Sequence, residues 1–98
     1  MKNRGWRDIV AMILESSVEK NTKTRIMIEV GLSHYQLKEY LRIMQKSDLL
    51  EFSMKTKKYI TTEKGIKFLK LYDQINELME NEVLPLKNNK SQFQHILR

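Results

Sequence analysis

Lys38, Arg42 and Lys46 recur at every fourth residue, a spacing that puts three positive charges on one side of a helix. At about 100° per residue, Tyr35 and Glu39 fall in the same sector, opposite an apolar sector of Leu37, Tyr40, Leu41 and Met44. Cations backed by an apolar stripe offer the chemistry of holding an extended polyanion. Lys38, Arg42 and Lys46 would meet phosphates, while Ser33, His34, Tyr35 and Gln36 in the first turn would reach base edges or the sugar-phosphate wall. The start of the helix favours a phosphate as well. Lys55, Lys57 and Lys58 crowd one short polar segment, and Lys23 and Arg25 open an earlier helical stretch. Lys2, Arg4 and Arg7 are further candidates. A charged helix face is also the ordinary solvated side of a surface helix, and lysines at a hairpin tip also protect a strand edge. The weight therefore rests on the elements that position these residues.

The apolar repeat of Trp6, Ile9, Val10, Ile13 and Leu14 predicts a first helix from about Gly5 to Val18. A polar linker over 19–23 follows. Thr22 or Thr24 caps a short second helix that ends at Val30, with Ile26, Met27 and Val30 inward. Gly31 suits a left-handed turn, Leu32 a return to the core, and Ser33 with Gln36 a capping box for a third helix to about Lys46. Then the period shifts to two. Leu50, Phe52 and Met54 read as one strand, Tyr59 and Ile60 as another, and Lys55-Thr56-Lys57 as the turn of a hairpin. Thr61 or Thr62 caps a long fourth helix, with Glu63 in its first turn, ending near Val83 before Pro85. Gly65 is read as a tolerated helix glycine that costs roughly 1 kcal/mol against alanine. Three helices, a hairpin and a helix is the order of a winged helix-turn-helix, a mainly α fold with a β-hairpin. The expected division is a DNA-binding domain over 1–62, a long helix over 63–84 and a basic tail over 85–98.

The 98 residues suit one compact domain, and a hydrophobic content of 41% is that of a globular chain. The net charge is +6, distributed as +5 over residues 1–60, −2 over 61–86 and +3 over 87–98, so the basic excess and the long helix have different tasks. There is no cysteine, which removes disulfides, thiolate metal sites and thiol nucleophiles. His34 and His95 are the two histidines and lack metal-ligand spacing. No glycine-rich phosphate loop or nucleophile elbow is present, so no enzyme, cofactor or small-molecule ligand is expected. No run approaches the roughly 18 apolar residues of a membrane span. The expectation is a soluble protein of a prokaryotic cytoplasm, at the nucleoid.

Thr24-Arg25-Ile26-Met27, Gly31-Leu32-Ser33, Leu37-Lys38-Glu39-Tyr40-Leu41 and Tyr59-Ile60-Thr61-Thr62-Glu63-Lys64-Gly65 together resemble the archaeal winged-helix family of small basic DNA-binding proteins. That family includes chromatin-associated dimers and related transcription regulators. The resemblance covers roughly residues 6–80. It implies double-stranded DNA binding and dimerisation through an antiparallel coiled coil of the last long helix. Two departures stand out. Ser47-Asp48-Leu49-Leu50 lacks the glycine common between recognition helix and wing, and Glu51-Phe52-Ser53-Met54 is less basic than many wings. The residues themselves support an interaction role for the long helix. Phe68, Leu71, Tyr72, Ile75, Leu78 and Met79 cover more of its surface than one core-facing stripe requires, at coiled-coil spacing. A helix packed only on its own domain is the competing reading. A protein-interaction module that ignores DNA is the alternative function. A dimer would set two recognition helices on one duplex or bridge two.

Overall fold

In the computed structural model the described residues are 4–83, with the side chains of 80–83 left aside. The elements, in order, are α1 (Trp6–Ser16), α2 (Lys23–Val30), α3 (His34–Lys46), β1 (Leu50–Ser53), β2 (Lys58–Thr61) and α4 (Glu63–Val83). The expected basic tail over 85–98, with His95 and Pro85, lies outside the described residues.

The core forms where the apolar faces of the first three helices converge. Ile13 and Leu14 of α1, Ile26 of α2 and Leu37 of α3 are wholly buried; Val10, Val30, Leu32, Leu41, Met44 and Leu50 complete the cluster. Truncating any of the wholly buried leucines to alanine is expected to cost about 2–5 kcal/mol. The helix-turn-helix bend follows the expected chemistry. Thr22 caps α2 by accepting from the Arg25 N–H at 3.2 Å. Gly31 adopts φ 76°, which lets Leu32 turn back into the core.

β1 and β2 form a two-stranded antiparallel sheet with Leu50 opposite Thr61 and Phe52 opposite Tyr59. The Phe52 and Tyr59 rings lie 4.7 Å apart between centroids. Four expectations change here. α1 ends at Ser16 rather than Val18: the buried Ser17 is its C-cap, and the chain turns away through Lys20 at φ 72°. Trp6 does not join the core stripe and is 60% exposed, since the first turn of α1 extends past the core. Met54 is not a strand residue. Pairing stops at Ser53, and the turn takes 54–57, with Lys57 at φ 60° donating its N–H to the Ser53 carbonyl at 2.7 Å. The polar linker is also not a bare connection. Asn21 pairs with Tyr59 through both backbone bonds, 2.9 and 2.7 Å, and so lies beside the hairpin.

α4 begins at Thr62, whose hydroxyl accepts from the Gly65 N–H at 3.0 Å, while Thr61 ends β2 and is buried. Its first turns pack Phe68 and Leu69 against the core cluster. Further along, Tyr72 donates its hydroxyl to Asp8 of α1. Beside that contact the helix exposes Leu71, and beyond it Ile75, Leu78 and Met79.

Candidate nucleic-acid interface

α3 is fixed at both ends by short-range chemistry. At its start the Ser33 hydroxyl accepts from the Gln36 N–H at 3.1 Å, and the Gln36 side-chain oxygen accepts from the Ser33 N–H at 3.0 Å. The capping box is therefore complete, and it occupies two residues expected to face bases. Gln36 keeps its amide hydrogens for a ligand, but its oxygen is turned to its own backbone. Bidentate reading of adenine, which needs both groups, is thereby disfavoured. His34 and Tyr35 stay exposed in the same first turn, Tyr35 at 71%.

At the other end, the Thr61–Gly65 stretch works as a joint. Thr62 donates its hydroxyl to the Asp48 carbonyl at 2.7 Å and its N–H to the Leu49 carbonyl at 3.0 Å. Lys64 reaches the Ser47 carbonyl at 2.9 Å, a cation placed on the C-terminus of α3. Thr61 donates to the Leu14 carbonyl at 2.7 Å. Gly65 is not merely tolerated: a Cβ there would stand 2.6 Å from the Leu49 carbonyl oxygen and 2.6 Å from the Thr61 methyl. In place of the glycine absent after α3, Asp48 takes the left-handed conformation at φ 64°.

On the helix so fixed, Lys38, Arg42 and Lys46 are all exposed. Lys38 and Lys46 make no ion pair among the described residues, whereas Arg42 holds Glu39 at 2.9 Å. The pair is half-exposed, so it is worth little and yields readily to a phosphate. Arg25 behaves alike, 3.6 Å from Glu29. Glu29 also accepts from the Ser16 hydroxyl at 2.8 Å and the Asn21 amide at 3.2 Å.

The Asn21–Tyr59 bridge brings the start of α2 beside the hairpin, so Arg25 and Lys58 line one polar cleft of about 460 Å³. Lys20 lines it too. Sequence reasoning passed over Lys20, because a lone lysine in a linker carries no periodic signal. Lys55 and Lys57 are exposed at the hairpin turn, and Lys23 is half-buried in the first turn of α2. Arg4 is committed elsewhere. Its guanidinium donates to the Val30 carbonyl at 2.5 Å and the Gly31 carbonyl at 3.2 Å, capping the end of α2. Lys2 lies outside the described residues.

Of the long-helix residues, Phe68 packs on the core and stacks on Tyr72, with centroids 6.4 Å apart. Leu71, Ile75, Leu78 and Met79 are each more than half exposed. Asp8 is held below the ordinary carboxylate range, first by the Tyr72 hydroxyl and then by the Gly5 N–H. Tyr72 is pushed up, by burial first and by Asp8 second. Among the described residues, no cluster of His, Asp or Glu could hold a metal ion, and no helix is long and apolar enough to cross a membrane.

A family model described as winged helix-turn-helix matches residues 3–94, and the chain belongs to that family. The chain is also similar to a solved structure, Sso10a-2, a DNA-binding protein from Sulfolobus solfataricus. The identity is 25% and the TM-score 0.73, over 97% of this chain and 98% of that one. Both findings support the resemblance to archaeal winged-helix DNA-binding proteins. No curated protein matches.

Proposed function

We propose that this winged helix-turn-helix chain binds double-stranded DNA as a homodimer, with α3 in the major groove. The observation that carries the reading is the outward face of α3. Lys38, Arg42, Lys46 and Tyr35 project from a helix anchored at both ends by the Ser33–Gln36 box and the Thr62–Lys64 joint. A helix of ordinary width fits the roughly 12 Å major groove. Lys38, Arg42 and Lys46 then neutralise phosphates, and His34 and Tyr35 face the bases. Ser33 and Gln36 set the cap and leave the Gln36 amide hydrogens to the groove. Lys23, Arg25 and Lys58 meet the backbone beside the α2–wing cleft, with Lys55 and Lys57 at the wing tip.

The dimer reading is supported by α4. Exposed Leu71, Ile75, Leu78 and Met79 form an apolar row that a lone chain would leave in water. With Phe68 and Tyr72 beside it, the row suits an antiparallel pairing with a second copy. Two α3 helices per particle fit a transcription regulator or a nucleoid-associated protein, acting at the nucleoid in a prokaryotic cytoplasm.

The test is anisotropy of a labelled random-sequence duplex across a salt series. Binding at micromolar concentration or tighter, weakening steeply with salt, is expected. Absence of binding at low salt refutes this reading and leaves a winged helix that docks proteins through the α4 row.

A further inference from the structure

The α4 row does not end at α4. Trp6 opens α1, 60% exposed, beside a groove of about 490 Å³ that it lines together with Phe68, Leu71, Ile75 and Met79. On its other side, Trp6 borders an apolar groove of about 310 Å³ with Tyr40, Ile43 and Leu49. The indole is thus a ridge between two hollows, continuous with the exposed side of the long helix. Nothing in the fold of one chain requires a tryptophan there, and leaving it in water forgoes the burial of a large aromatic surface.

Charge says what covers it. In α4 the three lysines, Lys64, Lys67 and Lys70, lie in the first half, whereas Asp73, Glu77, Glu80 and Glu82 follow with no Lys or Arg from residue 71 to 86. Two such helices side by side and parallel would set acid against acid. Antiparallel, about a centre between Asp73 and Gln74, Glu77 comes opposite Lys70 and Glu80 opposite Lys67 of the other copy. The first turn of α1, which lines the groove beside Phe68, Leu71 and Tyr72, adds a positive charge there. Arg7 lies over the Trp6 ring at 5.3 Å, and the neighbouring Asp8 is occupied by the Tyr72 hydroxyl and the Gly5 N–H.

We propose that the first turn of α1, Trp6 with Arg7, is part of the dimer interface, covered by the acidic C-terminal half of a second copy's α4. This rests on the dimer reading and extends it. The arm is then seated against the DNA-binding domain of the other copy, and the separation of the two recognition helices is fixed by α1 as well as by α4.

The chain has one tryptophan, so its fluorescence reports this contact alone. The experiment follows Trp6 emission and acrylamide quenching of the full chain, without DNA, from nanomolar to high micromolar concentration, beside sedimentation velocity. The expected result is a blue shift and at least a threefold fall in quenching that track the monomer–dimer transition. Trp6→Ala is expected to raise the dimer dissociation constant about tenfold or more, and Arg7→Glu several-fold, more so at low salt. Both side chains are exposed in the single chain, so neither substitution opens the core. A dimer whose Trp6 stays as quenchable as in the monomer, or whose dissociation constant changes less than twofold in Trp6→Ala, overturns the proposal while leaving the α4 dimer standing. A chain that is monomeric at every concentration overturns both. DNA binding is judged separately by anisotropy.

Discussion

The outward faces of α3 and α4 are both helical and both exposed, and their compositions oppose each other. α3 presents Tyr35, Lys38, Arg42 and Lys46; α4 presents Leu71, Ile75, Leu78 and Met79. The first face is content in water and loses little by waiting for a polyanion. The second gains by leaving water, at about 25 cal/mol per Å² of apolar surface. On the proposed reading one chain carries two kinds of contact, one driven by charge and steeply sensitive to salt, the other driven chiefly by burial, with charge setting its orientation and only a modest salt dependence. The rigid element between them is the Thr61–Gly65 joint, which ties the end of α3 to the start of α4.

The largest effect is expected on the charged face. Lys38→Glu with Arg42→Glu should lower duplex affinity by about 100-fold or more near physiological salt, with the melting temperature almost unchanged. The neutral pair Lys38→Gln and Arg42→Gln should also flatten the salt dependence by about 0.9 in slope per lost phosphate contact. Unchanged binding would remove α3 from the interface. On the apolar face, Ile75→Glu should raise the dimer dissociation constant by roughly 30-fold or more while leaving the monomer folded. If sedimentation still shows a dimer of wild-type strength, the α4 row is not the seam.

The joint comes next in size. Gly65→Ala drives a methyl into the Leu49 carbonyl and the Thr61 side chain, at 2.6 Å from each. A loss of about 2 kcal/mol is expected, or a fall of roughly 10 °C in melting temperature for a domain of this size. A helix-propensity argument gives the opposite sign, so a stabilised Gly65→Ala would show that the close approach is relieved at no cost. Asp48→Gly should act in the other direction. Asp48 sits at φ 64°, and glycine there is expected to gain about 0.5 kcal/mol, read as a higher denaturation midpoint with the same slope.

These outcomes separate what local sequence specifies from what only packing specifies. The cap of α2 is readable only as Thr22 or Thr24, and Thr22 takes it; the left-handed Gly31 and the Ser33–Gln36 box act within a few residues and are readable from spacing. So is the order of elements that makes the winged helix. Lys64 and Arg4 are not, because they bind carbonyls 17 and 26 residues away, and a basic residue that caps a helix looks like one that awaits a phosphate. Gly65 reads in sequence as an ordinary helix glycine for the same reason: its neighbour is a distant backbone oxygen. Met54 continues the alternation of β1 in sequence, yet the turn closed by Lys57 ends the pairing before it. Trp6 has the angular position of a core residue and lies one turn beyond the core. Asn21 pairs through its backbone, and backbone pairing by a single polar residue leaves no pattern to find.

The smallest expected effect lies where α4 meets α1. Tyr72 donates to Asp8, and Asp8 also accepts from the Gly5 N–H at 2.8 Å to close the cap of α1. Both bonds favour the ionised carboxylate, so its pKa in the folded chain is depressed. The sign follows from linkage. The contribution is complete above the unfolded value, near 4, and fades as pH falls through the lower folded value. Wild type and Asp8→Asn should therefore differ in melting temperature at neutral pH and converge in acid. Tyr72→Phe removes the first of the two bonds and should show a smaller gap that closes over the same range. Asp8 is only half-buried, so the gap is small and salt erodes it. A gap that persists unchanged down to the acid limit would mean that the carboxylate charge is not what fastens α4 to α1. Beyond the Thr61–Gly65 joint, the tether would then be the packing of Phe68 and Leu69, and the apolar side of the comparison would govern the placement of the arm as well as its pairing.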